Sequence, residues 1–134
     1  MTAPHRILFV CRHNSIRSQI AEALANKMGH GKVLATSAGP EPEPIPEHVS
    51  EWVTRLSHSQ TKPVSKDLNE MAREPFDTII TLCDKSHDAL PELATDQQHI
   101  RWDFSHPDDA EALKHMEIEI SERLSLMLQA KGLM

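Results

Sequence analysis

The 134-residue chain predicts an α/β fold, a three-layer sandwich with a parallel sheet between layers of helices. Two observations carry this. The run ILFV at 7 to 10 is continuously apolar, as in a strand buried on both faces, and the apolar period changes to a helical one a few residues later. The alternation then recurs, so successive strands are joined by right-handed crossovers.

The first strand covers residues 6 to 10. From Arg17, Ile20, Ala21, Leu24, Ala25 and Met28 fall at helical spacing, with Gly29 and Gly31 as stop signals. Residues 11 to 16 between them form a tight strand-to-helix loop. KVLATS at 32 to 37 reads as a second strand, closed by Ala38, Gly39 and the proline-rich run PEPEPIP, a surface loop. Pro46 opens a second helix with Val49, Trp52, Val53 and Leu56 as its stripe. FDTIITLC at 76 to 83 and a shorter run at 99 to 104 are further strands. A last helix at 111 to 128 presents Leu113, Met116, Ile120, Leu124 and Met127 with Leu128. Trp52 reads as core and Trp102 as a packing anchor.

The length fits one domain spanning 1 to 134. Apolar residues at 39% and charged residues at 25% are ordinary for a globular chain. A formal charge of -6 excludes the basic surface that nucleic-acid binding needs. No apolar stretch is long enough to span a membrane, and ILFV is too short for a signal-peptide core, so a cytoplasmic location is expected. Two distant cysteines make no disulfide scaffold; reduced thiols are expected.

Parallel sheets place their working site at the carboxyl ends of the strands. Cys11, Cys83 and the segment after Phe104 all lie at such ends. The loop VCRHNSIRS would turn the backbone N–H groups of Arg12, His13, Asn14, Ser15, Ile16 and Arg17 around a tetrahedral oxyanion, with a helix dipole behind them. Arg17 adds a two-pronged grip. Cys11 would lie beneath the anion's central atom, favoured as thiolate and nucleophilic. Ser18 is a candidate hydrogen-bond donor to that sulfur, and Asn14 a tie from the loop to neighbouring backbone. Alternatively, Cys11 is an inert core thiol. For Cys83, a small hydrophobe ending a buried strand and a reactive thiol are equally open readings.

FVCRHNSIRSQIAEALA, TSAG at 36 to 39, TLCD at 81 to 84 and WDFSHPDD at 102 to 109 together resemble the cytoplasmic arsenate reductases built on the low-molecular-weight protein tyrosine phosphatase fold. The resemblance spans nearly the whole chain. It implies a four-stranded parallel sheet flanked by helices, attack of Cys11 on arsenate to form a thiol-arsenate adduct, and Cys83 as the redox partner whose attack on Cys11 releases arsenite. It implies no cofactor.

The chain departs from the family pattern in several places. Thioredoxin-coupled members carry a third redox cysteine soon after the second, and DKSHDALPEL has none. The expected donors are therefore a small thiol such as glutathione or mycothiol resolving Cys11, or thioredoxin or glutaredoxin attacking a Cys11–Cys83 disulfide. The family usually places an aspartate before the proline of the acid segment; here His106 stands there. Imidazolium is a competent acid near neutral pH, and Asp108 and Asp103 are nearby alternatives. Some members bind potassium beside the loop; Asn14, Glu22 and Ser37 match that set, but Lys66 stands near the position of its aspartate. Its ammonium would neutralise Glu22, so no required metal is expected. The scatter of histidines reads as surface.

Two other functions are compatible with the same loop. A phosphomonoesterase would let water resolve a cysteinyl-phosphate, leaving Cys83 without a role. A non-catalytic oxyanion-binding module would bind arsenate or phosphate and release no arsenite.

Overall fold

The computed structural model describes residues 3–57, 62–71, 73–89 and 98–134. The elements run β1 (His5–Val10), α1 (Arg17–Gly29), β2 (Val33–Ala38), α2 (Glu47–Ser57), α3 (Leu68–Met71), β3 (Thr78–Thr81), α4 (Asp84–Ala89), β4 (Gln98–Arg101) and α5 (Ala110–Ala130). The four strands form one sheet in the order β2-β1-β3-β4, every pair parallel. The expected α/β class, parallel sheet and strand-to-helix loop are all present.

Burial on both faces explains the unbroken apolar character of β1. Ile7, Phe9 and Cys11 belong to a large cluster with Ile20 and Leu24 of α1, Val49 and Val53 of α2, and Leu113, Met116, Ile120, Leu124 and Leu128 of α5. Leu8 and Val10 point the other way, into a smaller cluster with Ala38, Leu68, Phe76 and Ile79. Cys11 therefore continues the inward face of Ile7 and Phe9 beyond the strand, as the two-residue period requires. Trp102 is buried as an anchor, whereas Trp52 is half-buried and its indole N–H donates to Glu117 Oε1 at 3.1 Å.

Boundaries shift by a few residues. The run at 76 to 83 is regular strand only over Thr78–Thr81, and the run at 99 to 104 becomes Gln98–Arg101. The short helices α3 and α4 have no counterpart in the sequence reading, because four and six residues are too few to display an apolar period. Residues 90 to 97, the rest of DKSHDALPEL and the approach to β4, lie outside the described residues.

Candidate functional site

Between Val10 and Arg17 the chain turns back above the carboxyl end of β1. The turn requires Asn14 in the left-handed region, at φ 50°, which asparagine tolerates better than most residues. Asn14 is fully buried and holds the loop from inside. Its Oδ1 accepts from the backbone N–H of Lys66 at 2.8 Å and from Gln19 Nε2 at 3.0 Å. A backbone N–H can only donate, so Nδ2 must face Ser18, whose Oγ accepts from it at 2.7 Å. The single hydroxyl proton of Ser18 is thus left for Cys11 Sγ, 2.9 Å away.

Gly39, the last residue of TSAG, lies under the loop. A β-carbon there would stand 2.5 Å from the carbonyl oxygen of Cys11, 2.7 Å from that of Arg12 and 2.9 Å from the amide nitrogen of Asn14. Gly39 also donates to Lys66 O at 3.0 Å and accepts from Leu68 N at 2.9 Å. The loop thus rests on bare backbone. Two residues invisible to pattern reading complete its support. Gln19, fully buried, donates to Asn14 O at 3.1 Å and Val64 O at 3.0 Å, and the Ser65 hydroxyl donates to Asn14 O at 2.8 Å.

The residue preceding α1, Ile16, supplies no side-chain cap. The first-turn N–H groups therefore face the loop's concavity with the helix dipole behind them. Arg17 reaches over this end, donating through Nη1 to Phe104 O at 3.0 Å. The side chains of Arg12 and His13 turn away to the proline-rich run. Arg12 Nε meets Glu41 Oε2 at 2.6 Å, and His13 Nδ1 bonds Glu41 O at 2.9 Å. Their carbonyls accept from Glu41 N at 2.9 Å and Glu43 N at 3.0 Å, so what these two residues offer the concavity is their amides.

Cys83 lies two residues past the end of β3 and is half-buried; both cysteines are free thiols. Val10 pairs with Thr81, and Leu82 N donates to Val10 O at 2.9 Å, so Cys83 lies one step diagonally from Cys11. The backbone N–H of Arg12, the residue after Cys11, also bonds to Cys83, so the two cysteines adjoin at the carboxyl ends of their strands. Burial pushes the Cys83 thiol up. The Ser86 hydroxyl, the backbone N–H groups of Ser86 and Arg12 and the charge of Arg17 oppose it and prevail, so the net shift is downward.

The acid segment follows β4. Trp102 N donates to Thr81 O at 2.8 Å and Phe104 N to Leu82 O at 3.2 Å, extending the sheet's pairing to the site. The two rings meet edge to face at 6.3 Å. His106 and Asp108 are exposed, though His106 lines a cavity of about 310 Å³ with Ile16, His48, Asp108 and Asp109. Asp109 caps α5, accepting from Ala112 N at 2.7 Å. Asp103 Oδ1 pairs with His87 Nε2 at 2.9 Å. His87 is buried, which corrects the reading of every histidine as surface: paired on both ring nitrogens, the imidazole can be taken out of water.

On the far side of the loop, Glu22 Oε1 accepts from Ser37 Oγ at 3.0 Å and lies 3.5 Å from Lys66 Nζ. The ammonium is thus placed to balance Glu22, as expected. No described helix is long and apolar enough to cross a membrane.

The family model described as low molecular weight phosphotyrosine protein phosphatase matches residues 6–122. The glutaredoxin arsenate reductase of Synechocystis sp. is 26% identical over 125 residues, 92% of this chain and 95% of that protein. A crystal structure of arsenate reductase from Archaeoglobus fulgidus has a TM-score of 0.75 at 31% identity, covering 92% of this chain and 98% of that one. A structure described as an arsenate reductase in the phosphate binding state has a TM-score of 0.78 at 25% identity, with coverages of 94% and 98%.

Proposed function

The chain belongs to the low molecular weight phosphotyrosine protein phosphatase family, and from that premise we propose that it reduces arsenate to arsenite as a single domain over residues 1 to 134. The reading draws on its arsenate reductase relatives. The observation that carries it is Cys83: a second thiol of lowered pKa at the loop's edge, which ester hydrolysis does not need.

The Cys11 thiolate attacks arsenic held by the loop amides and the Arg17 guanidinium, while the departing oxygen takes a proton and leaves as water. Ser18, with its proton directed at Cys11 Sγ, stabilises the negative sulfur before attack. His106 or Asp108 serves as the acid. Asp103 is committed to His87, which supports leaving it out of that role. The Cys83 thiolate then attacks Cys11 Sγ. The sulfur–arsenic pair stays on arsenic, which goes from As(V) to As(III), and the two thiols become a disulfide. With no third cysteine to carry that disulfide away, we assign its reduction to an external donor at the site: glutaredoxin or thioredoxin, or glutathione or mycothiol. Dependence on reduced thiols fits work in the cytoplasm.

The test is a single turnover of the reduced protein with arsenate and no donor, read by arsenite release and mass spectrometry. One arsenite per chain with a Cys11–Cys83 disulfide, absent in Cys83→Ser, is expected. Two free thiols and no arsenite would refute the intramolecular route. The family and the loop also favour phosphate ester hydrolysis as a second reading; its signature is turnover of an aryl phosphate that survives Cys83→Ser.

A further inference from the structure

Resting on that reading of Cys83 as the resolving thiol, we infer that His87 is a positioning residue for the redox step: it clamps α4, the helix that begins one residue after Cys83, to the acid segment. α4 has six residues, too few to hold its own place by propensity. Its placement therefore depends on what it grips. The His87 side chain is only 2% exposed and bridges two elements. Nδ1 bonds Thr81 Oγ1, two residues before Cys83, and Nε2 bonds Asp103 Oδ1 at 2.9 Å.

The grip extends to both reacting groups. At one end His87 N donates to Cys83 O at 3.0 Å, fixing the peptide that carries the resolving thiol. At the other, Asp103 precedes Phe104, whose carbonyl holds Arg17. The imidazole itself bonds to neither Arg17 nor the loop, so its loss leaves the oxyanion cradle's own contacts in place.

A carboxylate only accepts, so His87 Nε2 carries a proton and donates it to Asp103 Oδ1 at 2.9 Å. The other ring nitrogen faces Thr81 Oγ1, a hydroxyl that can both donate and accept and that also meets His99 Nε2 at 3.0 Å. A glutamine amide does not reproduce the two opposed nitrogens of the ring.

The test measures closure of the Cys11–Cys83 disulfide twice in each variant, once driven by arsenate and once by the thiol oxidant diamide, which needs no oxyanion. His87→Gln is expected to slow both closures by about tenfold or more, since misplacing a reacting group by an ångström costs up to about a hundredfold. It should leave inorganic phosphate affinity within about twofold, a split that general unfolding would not produce. Should His87→Gln fail to fold, Asp103 decides, because its side chain is 75% exposed. Asp103→Asn retains an acceptor for Nε2–H and is expected to close at close to the wild-type rate; Asp103→Ala should be as slow as His87→Gln. Diamide closure unchanged in His87→Gln or Asp103→Ala, or absent from the wild type, would overturn the inference. Wild-type closure by diamide but not by arsenate would refute the reductase reading alone.

Discussion

Replacing Gly39 with alanine tests whether the loop's shape depends on bare backbone beneath it. The new β-carbon would meet three atoms at 2.5, 2.7 and 2.9 Å, all of them loop backbone. Carbon and oxygen approach to about 3.3 Å at closest ease, so the loop would have to rise by up to about 0.8 Å. Close-packed interiors resist such insertions at roughly 1–3 kcal/mol, or a fall of about 4–12 °C in Tm for a domain of this size. The moved atoms are those that position Cys11 and the anion. A displacement approaching an ångström should therefore slow single-turnover arsenite release by about 10–100-fold. Gly31→Ala is the control. Gly31 has φ 85° with nothing within 4 Å of its added β-carbon, so only left-handed strain of roughly 1–2 kcal/mol applies, without loss of turnover. Wild-type Tm and turnover in Gly39→Ala, or equal loss of turnover in Gly31→Ala, would refute the reasoning.

Cys83 should react with a maleimide, measured in Cys11→Ser, at a pH below that needed for an unperturbed cysteine. Ser86→Ala should move its profile back up, since the Ser86 hydroxyl is the leading group that lowers it; a profile identical to free cysteine would contradict this. Asn14→Ala removes three side-chain hydrogen bonds and puts alanine at φ 50°. It should cost about 2–4 kcal/mol in denaturant unfolding, and a loss under 1 kcal/mol would count against the central role given to that amide. The His99 pKa is lowered, so below the unfolded value of about 6.5 the unfolded chain binds a proton that the folded chain resists. This contribution to stability is neutral above that pH and turns increasingly unfavourable as pH falls. His99→Gln should reduce the slope of stability between about pH 5 and 7, and an unchanged slope would place its cause elsewhere.

The sequence by itself determined the parallel sheet, the strand-to-helix loop and the pairing of Cys11 with Arg17. These rest on local regularities: Ile7 to Val10 is apolar because both its faces are covered, α1 shows its period over 13 residues, and the loop is what lies between. The meeting of TLC and WDFSHPDD with that loop was also legible, because parallel strands deliver their carboxyl ends to one edge. Only the tertiary structure decided which polar groups complete the site. Gln19, Ser65 and Lys66 hold Asn14 across up to 52 residues of sequence, and Gly39 matters because of what lies above it. His87 looked like one more surface histidine until Thr81 and Asp103 closed on both its nitrogens. Periodicity records which face of an element is apolar. It carries no record of which distant hydrogen-bond partner a buried polar side chain will meet, and that choice is made only when the elements pack.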